Sequence, residues 1–190
     1  ILYGKGAINA VVIVAPKGVY RNWSTKEIPD HMPDHIDTHV AVWSPAPRKQ
    51  EKADLVKLFH TDLDELKIFL INVEAFSTPK GVKFTENFIL GHQVLFAVDE
   101  STTIKNPKAS RTKAITKLAK NTKYRRILTG SPITQSPLDL YSQTEVLDTN
   151  LLGYTSFYSF QNHYGEVVNR YFGGRTVRQV VGYRNLDELS

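Results

Sequence analysis

The sequence contains no cysteine. That excludes a disulfide framework and a cysteine-ligated zinc site, and it is compatible with a reducing cytosol. Long apolar runs are missing as well. None approaches the roughly 20 residues a membrane-spanning helix needs, and no secretory signal pattern opens the chain. Internal repeats and low-complexity linkers are absent too. One sign of charge is missing locally: no acidic residue falls between Ser101 and Leu138. Nine basic ones fall there: Lys105, Lys108, Arg111, Lys113, Lys117, Lys120, Lys123, Arg125 and Arg126. A basic block of this kind suits phosphate, although a solvated helix face has the same composition.

What is present suits one globular domain with a substantial core. The chain has 190 residues, 41% of them hydrophobic and 23% charged, and its formal net charge is +5. Ile1 opens inside what reads as structure, which is expected of a piece of a longer chain.

Five short β-branched or apolar runs read as strands: "INAVVIVAP", "DTHVAVW", "LKIFLINVEAF" ending near Asn72, "QVLFAVDE" and "YRRILTG". Helical spacing separates them. Val19, Trp23 and Ile28 recur at helical intervals, and Leu55, Leu58 and Phe59 share a face of "RKQEKADLVKLFH". Asn106 and Pro107 are expected to cap and start a helix with Ala114, Ile115 and Leu118 inward and Lys113, Lys117 and Lys120 outward. "SPLDLYSQTEVLD" reads as a further helix with Leu138, Tyr141 and Val146 inward. Strands alternating with helices predict an α/β fold with a mainly parallel sheet. The tail "EVVNRYFGGRTVRQVVGYRN" reads as a β-hairpin turning at Gly173-Gly174 and projecting from that body, and "NLDELS" as the start of a helix.

Ligands of open parallel sheets bind beyond the carboxyl ends of the strands. "APK", "DES" and "TGSP" fall at three such ends. Asp99 could hold Mg²⁺ and Glu100 could orient or deprotonate a water, or the two could be a helix-start carboxylate pair. Thr129, Gly130 and Ser131 could bond a phosphate or that pair; alternatively Ser131 caps and Pro132 begins the next element. Lys17, beside the permissive Gly18, could contact a nucleic-acid phosphate or be an exposed turn lysine. Trp23 could stack on a ligand, though its spacing suits core. The six histidines show no ligand spacing; His31 and His35 are separated by Pro33.

Taken in order, these pieces resemble the first RecA-like lobe of Swi/Snf-type ATPases, the duplex-DNA translocases of helicase superfamily two. "VVIVAPKGVYRNW" resembles their motif Ia, "IFLINVEAFS" motif Ib, "FAVDESTTIKNPKASRTKAITKLA" motif II with its basic extension, and "YRRILTGSPITQSPLDLYSQTEVLD" motif III and the helix after it. The likeness runs from about Ile8 to Asp148, and "VVGYRNLDEL" resembles short phage and bacterial members. It implies a RecA-like lobe over residues 1–150 and, over 151–190, a helical segment plus the hairpin leading toward a second lobe.

The resemblance also implies roles. Asp99 helps bind Mg²⁺–ATP and Glu100 activates water, while Ser101, Thr129, Gly130 and Ser131 couple nucleotide state to DNA grip. Ala15, Pro16 and Lys17, with Asn72 and Glu74, lie along a DNA strand. Lys105 and Asn106 support the motif II loop or touch the DNA backbone. The implied cofactors are ATP and Mg²⁺, the implied partner is duplex DNA held by its phosphates, and the implied setting is the cytoplasm of a bacterial or phage-infected cell. Three departures stand out. No Gly-x-x-x-x-Gly-Lys-Ser/Thr phosphate loop is present, and Gly4-Lys5-Gly6 does not supply one. No second lobe with its arginine finger is present. Thr102 stands where many relatives carry His, which puts coupling between motifs II and III in question. On this reading the chain alone binds ATP weakly and hardly hydrolyses it. The alternatives are a non-catalytic module that binds nucleic acid or docks a partner, and an RNA-directed helicase of the same superfamily.

Overall fold

The computed structural model describes residues 1–60 and 64–189. Five parallel strands form the body: β1 (Ala10–Ala15), β2 (Thr38–Val42), β3 (Leu66–Asn72), β4 (Val94–Asp99) and β5 (Tyr124–Leu128), in the order β2-β3-β1-β4-β5. The expected α/β architecture is therefore present. Central and edge strands differ as their sequences require. Every residue of β3 is buried, whereas β2 alternates between buried and half-buried positions. At the other edge, β5 carries Arg125 and Arg126, charges that discourage pairing with a further strand.

Alternation along β1 builds two cores. Val12 and Val14 face one layer with Phe69, Ile71, Phe96, Val98, Leu55, Phe88 and Ile115. Ile13 and Ala15 face the other with Ile68, Leu70, Tyr20 and Ile28. The first layer is covered by α3 (Lys49–Lys57), α4 (Pro79–Gly91) and α5 (Ser110–Ala119). The second lies under a helical stretch made of α1 (Tyr20–Asn22), a π-helical turn (Trp23–Glu27) and α2 (Ile28–His31).

The structure departs from the sequence expectations at several boundaries. α5 begins at Ser110 with Ala109 at its cap. Asn106 instead accepts the Lys108 N–H in a local turn, the Asx geometry that competes with helix capping. Ser131 and Pro132 likewise start no helix: the next element is a 3₁₀ turn, Pro137–Asp139, capped by Ser136 and followed by α6 (Leu140–Leu147). The "EAF" of the third run leaves the sheet as a 3₁₀ turn, Val73–Ser77. Sequence reading passed over α4, yet Thr78-Pro79 is a start signal. The Thr78 hydroxyl accepts the Gly81 N–H, and Pro79 occupies the first turn.

Beyond the sheet, α7 (Phe157–Tyr164) leads into an antiparallel hairpin of β6 (Gly165–Phe172) and β7 (Arg175–Tyr183). Gly173 and Gly174 both have positive φ, 53° and 82°, which a tight two-residue hairpin turn demands. The hairpin is anchored at its base, where Val180 packs against the cluster of Leu138, Tyr141, Phe160 and Tyr164. Leu186–Leu189 forms a 3₁₀ turn in place of the expected helix start, and Ser190 lies outside the described residues.

Candidate nucleotide and nucleic-acid site

Parallel pairing sends four strand ends to one edge. Ala15 lies opposite Asn72, Val14 opposite Val98, and Asp99 opposite Leu128. Lys17, Glu74, Glu100 and Thr129 thus leave the sheet on the same side, which brings most of the expected site residues together.

Asp99 ends β4 half-buried. Its Oδ2 accepts the indole N–H of Trp23 at 2.9 Å, and its Oδ1 accepts the Glu100 N–H at 2.9 Å. The π-helical turn beginning at Trp23 widens the helix where the indole reaches across to the neighbouring strand's end. Glu100 takes a left-handed backbone, φ 48° and ψ 62°, uncommon for a residue with a side chain. Two hydroxyls hold its carboxylate: Thr102 Oγ1 donates to Oε1 at 2.7 Å and Thr129 Oγ1 to the same oxygen at 2.9 Å. Thr102 therefore ties motif II to its own carboxylate, while Thr129 provides the direct link between the β4 and β5 ends.

A second link runs underneath. Ser101 is buried and its hydroxyl donates to Gln143 Oε1 at 2.6 Å. Fully buried Gln143 donates in turn to the carbonyls of Pro132 and Asp139. Asp139 Oδ2 accepts the Thr134 N–H and hydroxyl and the Gln135 N–H, fixing the loop after β5. Burial acts to raise the Asp139 pKa. The Gln135 and Thr134 donors and the Lys105 ammonium outweigh it and hold the carboxyl below its ordinary range. Lys105 donates to Thr134 Oγ1 at 2.7 Å and to Gln135 Oε1 at 3.2 Å, so it braces the motif II loop against the loop after β5. Ser131 is exposed and its hydroxyl donates to the Ile133 carbonyl; Gly130 is exposed with open space around its Cα.

On the other flank, Lys17, Tyr20, Arg21, Trp43, Asn72 and Glu74 border one cleft. Lys17 and Glu74 are exposed there. Ala15, however, is fully buried, so its side chain cannot lie along DNA. Asn72 is turned inward, its side-chain oxygen accepting the Ala75 N–H to cap the following turn. Pro16 is half-buried and Asn106 is exposed but engaged in its own turn. Sequence reading missed three participants. Trp23 lies in the motif Ia string with a spacing that suits stacking or core and gives no sign of a bond to Asp99; Asp139 lies in "SPLDLYSQTEVLD"; Gln143 has no signal beyond being polar within an apolar helix face.

Residues 3–181 match the SNF2-related domain. The chain belongs to that family. It is 26% identical over 179 residues to bovine DNA annealing helicase and endonuclease ZRANB3, covering 94% of this chain and 15% of that protein. It is 30% identical over 112 residues to the Caenorhabditis elegans homolog of the SWI/SNF-related matrix-associated actin-dependent regulator of chromatin subfamily A-like protein 1, covering 55% of this chain and 15% of the relative. Its fold matches the Sulfolobus solfataricus SWI2/SNF2 ATPase core solved in complex with double-stranded DNA, with TM-score 0.57 and 24% identity, over 86% of this chain and 30% of that one. The chain thus spans a small fraction of each relative's length. It is an SNF2-related domain, and its fold is that of part of an SWI2/SNF2 ATPase core.

The donors at the β4 end fit Mg²⁺. They are hard carboxylate oxygens, and each Asp99 oxygen uses one lone pair on a protein donor, leaving the other. The triphosphate is a different matter. Gly4-Lys5-Gly6 forms a tight turn, with Lys5 N–H bonded to the Ile1 carbonyl and Gly6 N–H to that of Tyr3, so it is no strand-to-helix phosphate cradle.

Proposed function

We propose that this chain is most of the first motor lobe of a DNA-dependent ATPase that moves along duplex DNA. The observation that carries the reading is the Glu100 carboxylate, gripped by Thr102 and Thr129 beside Asp99, on the same sheet edge as exposed Lys17. In this reading Mg²⁺–ATP supplies the γ-phosphoryl group. Asp99 would hold the metal, directly or through water, with Trp23 fixing the carboxylate's angle. Glu100 accepts a proton from, or orients, the attacking water. Thr129 passes the state of that carboxylate to the loop after β5, and the Ser101–Gln143–Asp139 chain keeps the loop in register. Lys17 and Glu74 border the path of a DNA strand, whose phosphates give binding without sequence preference. Similarity to a DNA annealing helicase and to a core bound to double-stranded DNA supports DNA over RNA.

The test is phosphate release by a longer chain that includes a phosphate loop and a second lobe, with duplex DNA, with RNA and with neither. Strong stimulation by duplex alone is expected. No turnover under any condition overturns the enzyme reading and leaves a nucleic-acid-binding lobe; stimulation by RNA alone overturns the choice of DNA.

A further inference from the structure

The hairpin has features the motor site does not use. From Val167 to Leu186 there is no acidic residue, but there are four arginines: Arg170, Arg175, Arg178 and Arg184. Arg184 is structural, donating to the carbonyls of Asn162 and His163. Arg178 donates to the Asn162 side-chain oxygen, and no ion pair among the described residues reaches it, Arg170 or Arg175. Large side chains stand exposed beside them: Tyr171 at 74% and Phe172 at 60%.

Strand register sorts these groups by face. Phe172 pairs with Arg175 and Arg170 with Val177 on one side; Tyr171 pairs with Thr176 and Asn169 with Arg178 on the other. Each face of the hairpin thus carries an aromatic ring and at least one arginine. Midway along the hairpin, beside α7, the arrangement is tighter. The ring of half-exposed Tyr158, on α7, has the Arg178 guanidinium 5.6 Å and the Lys108 ammonium 5.7 Å from its centroid. Lys108 comes from the basic extension of motif II, so three separate elements meet on one ring. Two cations without an ion-pair partner, both close to one aromatic ring, make a ready place for an anion.

We propose that the hairpin and Tyr158 form a second nucleic-acid site, outside the motor cleft, that takes an unpaired strand. Charge complementarity selects a polyanion. The exposed rings select unpaired bases, because a duplex hides its base faces in the stack and offers only phosphates, whereas a single strand offers both. The inference rests on the motor reading only in taking the polyanion to be DNA. The site fits a strand displaced from, or not yet joined to, the duplex on which the motor acts.

The 190-residue chain is titrated with a fluorescein-labelled oligothymidine and with a mixed-sequence duplex of equal length, at several salt concentrations. Tyr158→Ala and the Tyr171→Ala/Phe172→Ala pair are each expected to weaken oligothymidine binding about tenfold, as for the loss of a stacked base. Tyr158→Phe, which keeps the ring, binds like the parent. Arg170→Gln/Arg175→Gln lowers the slope of log affinity against log salt by about 1.4, two contacts at roughly 0.7 each. Duplex binding stays unchanged in all of them, which also shows that they are folded, and Lys17→Ala gives the opposite pattern. Unchanged oligothymidine binding in the hairpin variants, or none by the parent, overturns the site and leaves the hairpin's exposed valines to a protein surface. Equal losses on duplex overturn it as well, placing the hairpin on the duplex track. Duplex-stimulated phosphate release is read separately, so failure of the motor reading and failure of this site are distinguishable.

Discussion

Trp23 donates its indole N–H to Asp99 Oδ2 at 2.9 Å, joining the segment after β1 to the end of β4. One end of that contact belongs to the stretch that begins at Lys17, and the other to the carboxylate proposed to hold the metal. Trp23→Phe keeps most of the packing and removes the donor. It is expected to cost about 1–2 kcal/mol in urea unfolding, the range for a half-buried bond to a charged group. In a longer, ATP-hydrolysing chain it is expected to raise the Mg²⁺ concentration needed for half-maximal turnover. Unfolding of Trp23→Phe, Asp99→Asn and the double variant should be non-additive; simple additivity would mean that the bond carries no coupling.

Glu100 separates function from stability. Glu100→Gln in the longer chain is expected to abolish turnover while sparing ATP binding, and retained turnover would remove it as the water-activating group. Glu100→Gly is expected to be equally inactive but within about 1 kcal/mol of the parent in stability. Relief of the left-handed backbone offsets the greater freedom of glycine in the unfolded chain.

Gln143→Leu tests the buried link between motifs II and III. It fills the volume but leaves the Ser101 hydroxyl and the Pro132 and Asp139 carbonyls without their partner. A loss of about 2–4 kcal/mol in denaturant unfolding is expected. A loss under about 1 kcal/mol would show that the glutamine amide is not what joins the two loops.

Asp139 makes an acid-side prediction. Its folded pKa is depressed below the unfolded value near about 3.9, so its stabilisation is complete above that value and is lost as pH falls through the folded pKa. Asp139→Asn should lower stability at neutral pH by about 1–2 kcal/mol and flatten the fall in stability below about pH 4. Thermal unfolding midpoints across that range provide the check; parallel acid limbs for parent and variant would contradict it.

Lys17→Ala should weaken duplex binding with little sequence bias and reduce the salt slope by about 0.9, one phosphate contact. An unchanged slope in a binding titration takes Lys17 off the DNA path.

Most of the architecture was legible in the order of residues, because burial is written into composition. β1, β3 and β4 are largely buried on both faces and so read as apolar runs, interrupted in β3 by Lys67, and β2 alternates because it is an edge. Helix starts were less legible. Asn106-Pro107 has the right letters for a cap, yet the Asn106 side chain closes a local turn instead. Thr78-Pro79 carried the same signal and does start α4. Local signals permit a cap; only the surrounding packing selects it.

The site divides in the same way. The sequence by itself determined which strand ends carry carboxylates, hydroxyls and lysine, because the strand pattern and the motif strings place Asp99, Glu100, Thr129 and Lys17 at those ends. Tertiary structure alone decided that Ala15 and Asn72 are turned into the fold, that Lys105 braces a loop, and that Thr102 and Thr129 share one oxygen of Glu100. It also decided that Trp23 reaches Asp99 across 76 positions and that Ser101 meets Gln143 across 42. Such contacts depend on sheet order and on the direction in which each side chain leaves its backbone, and neither quantity has a period along the chain.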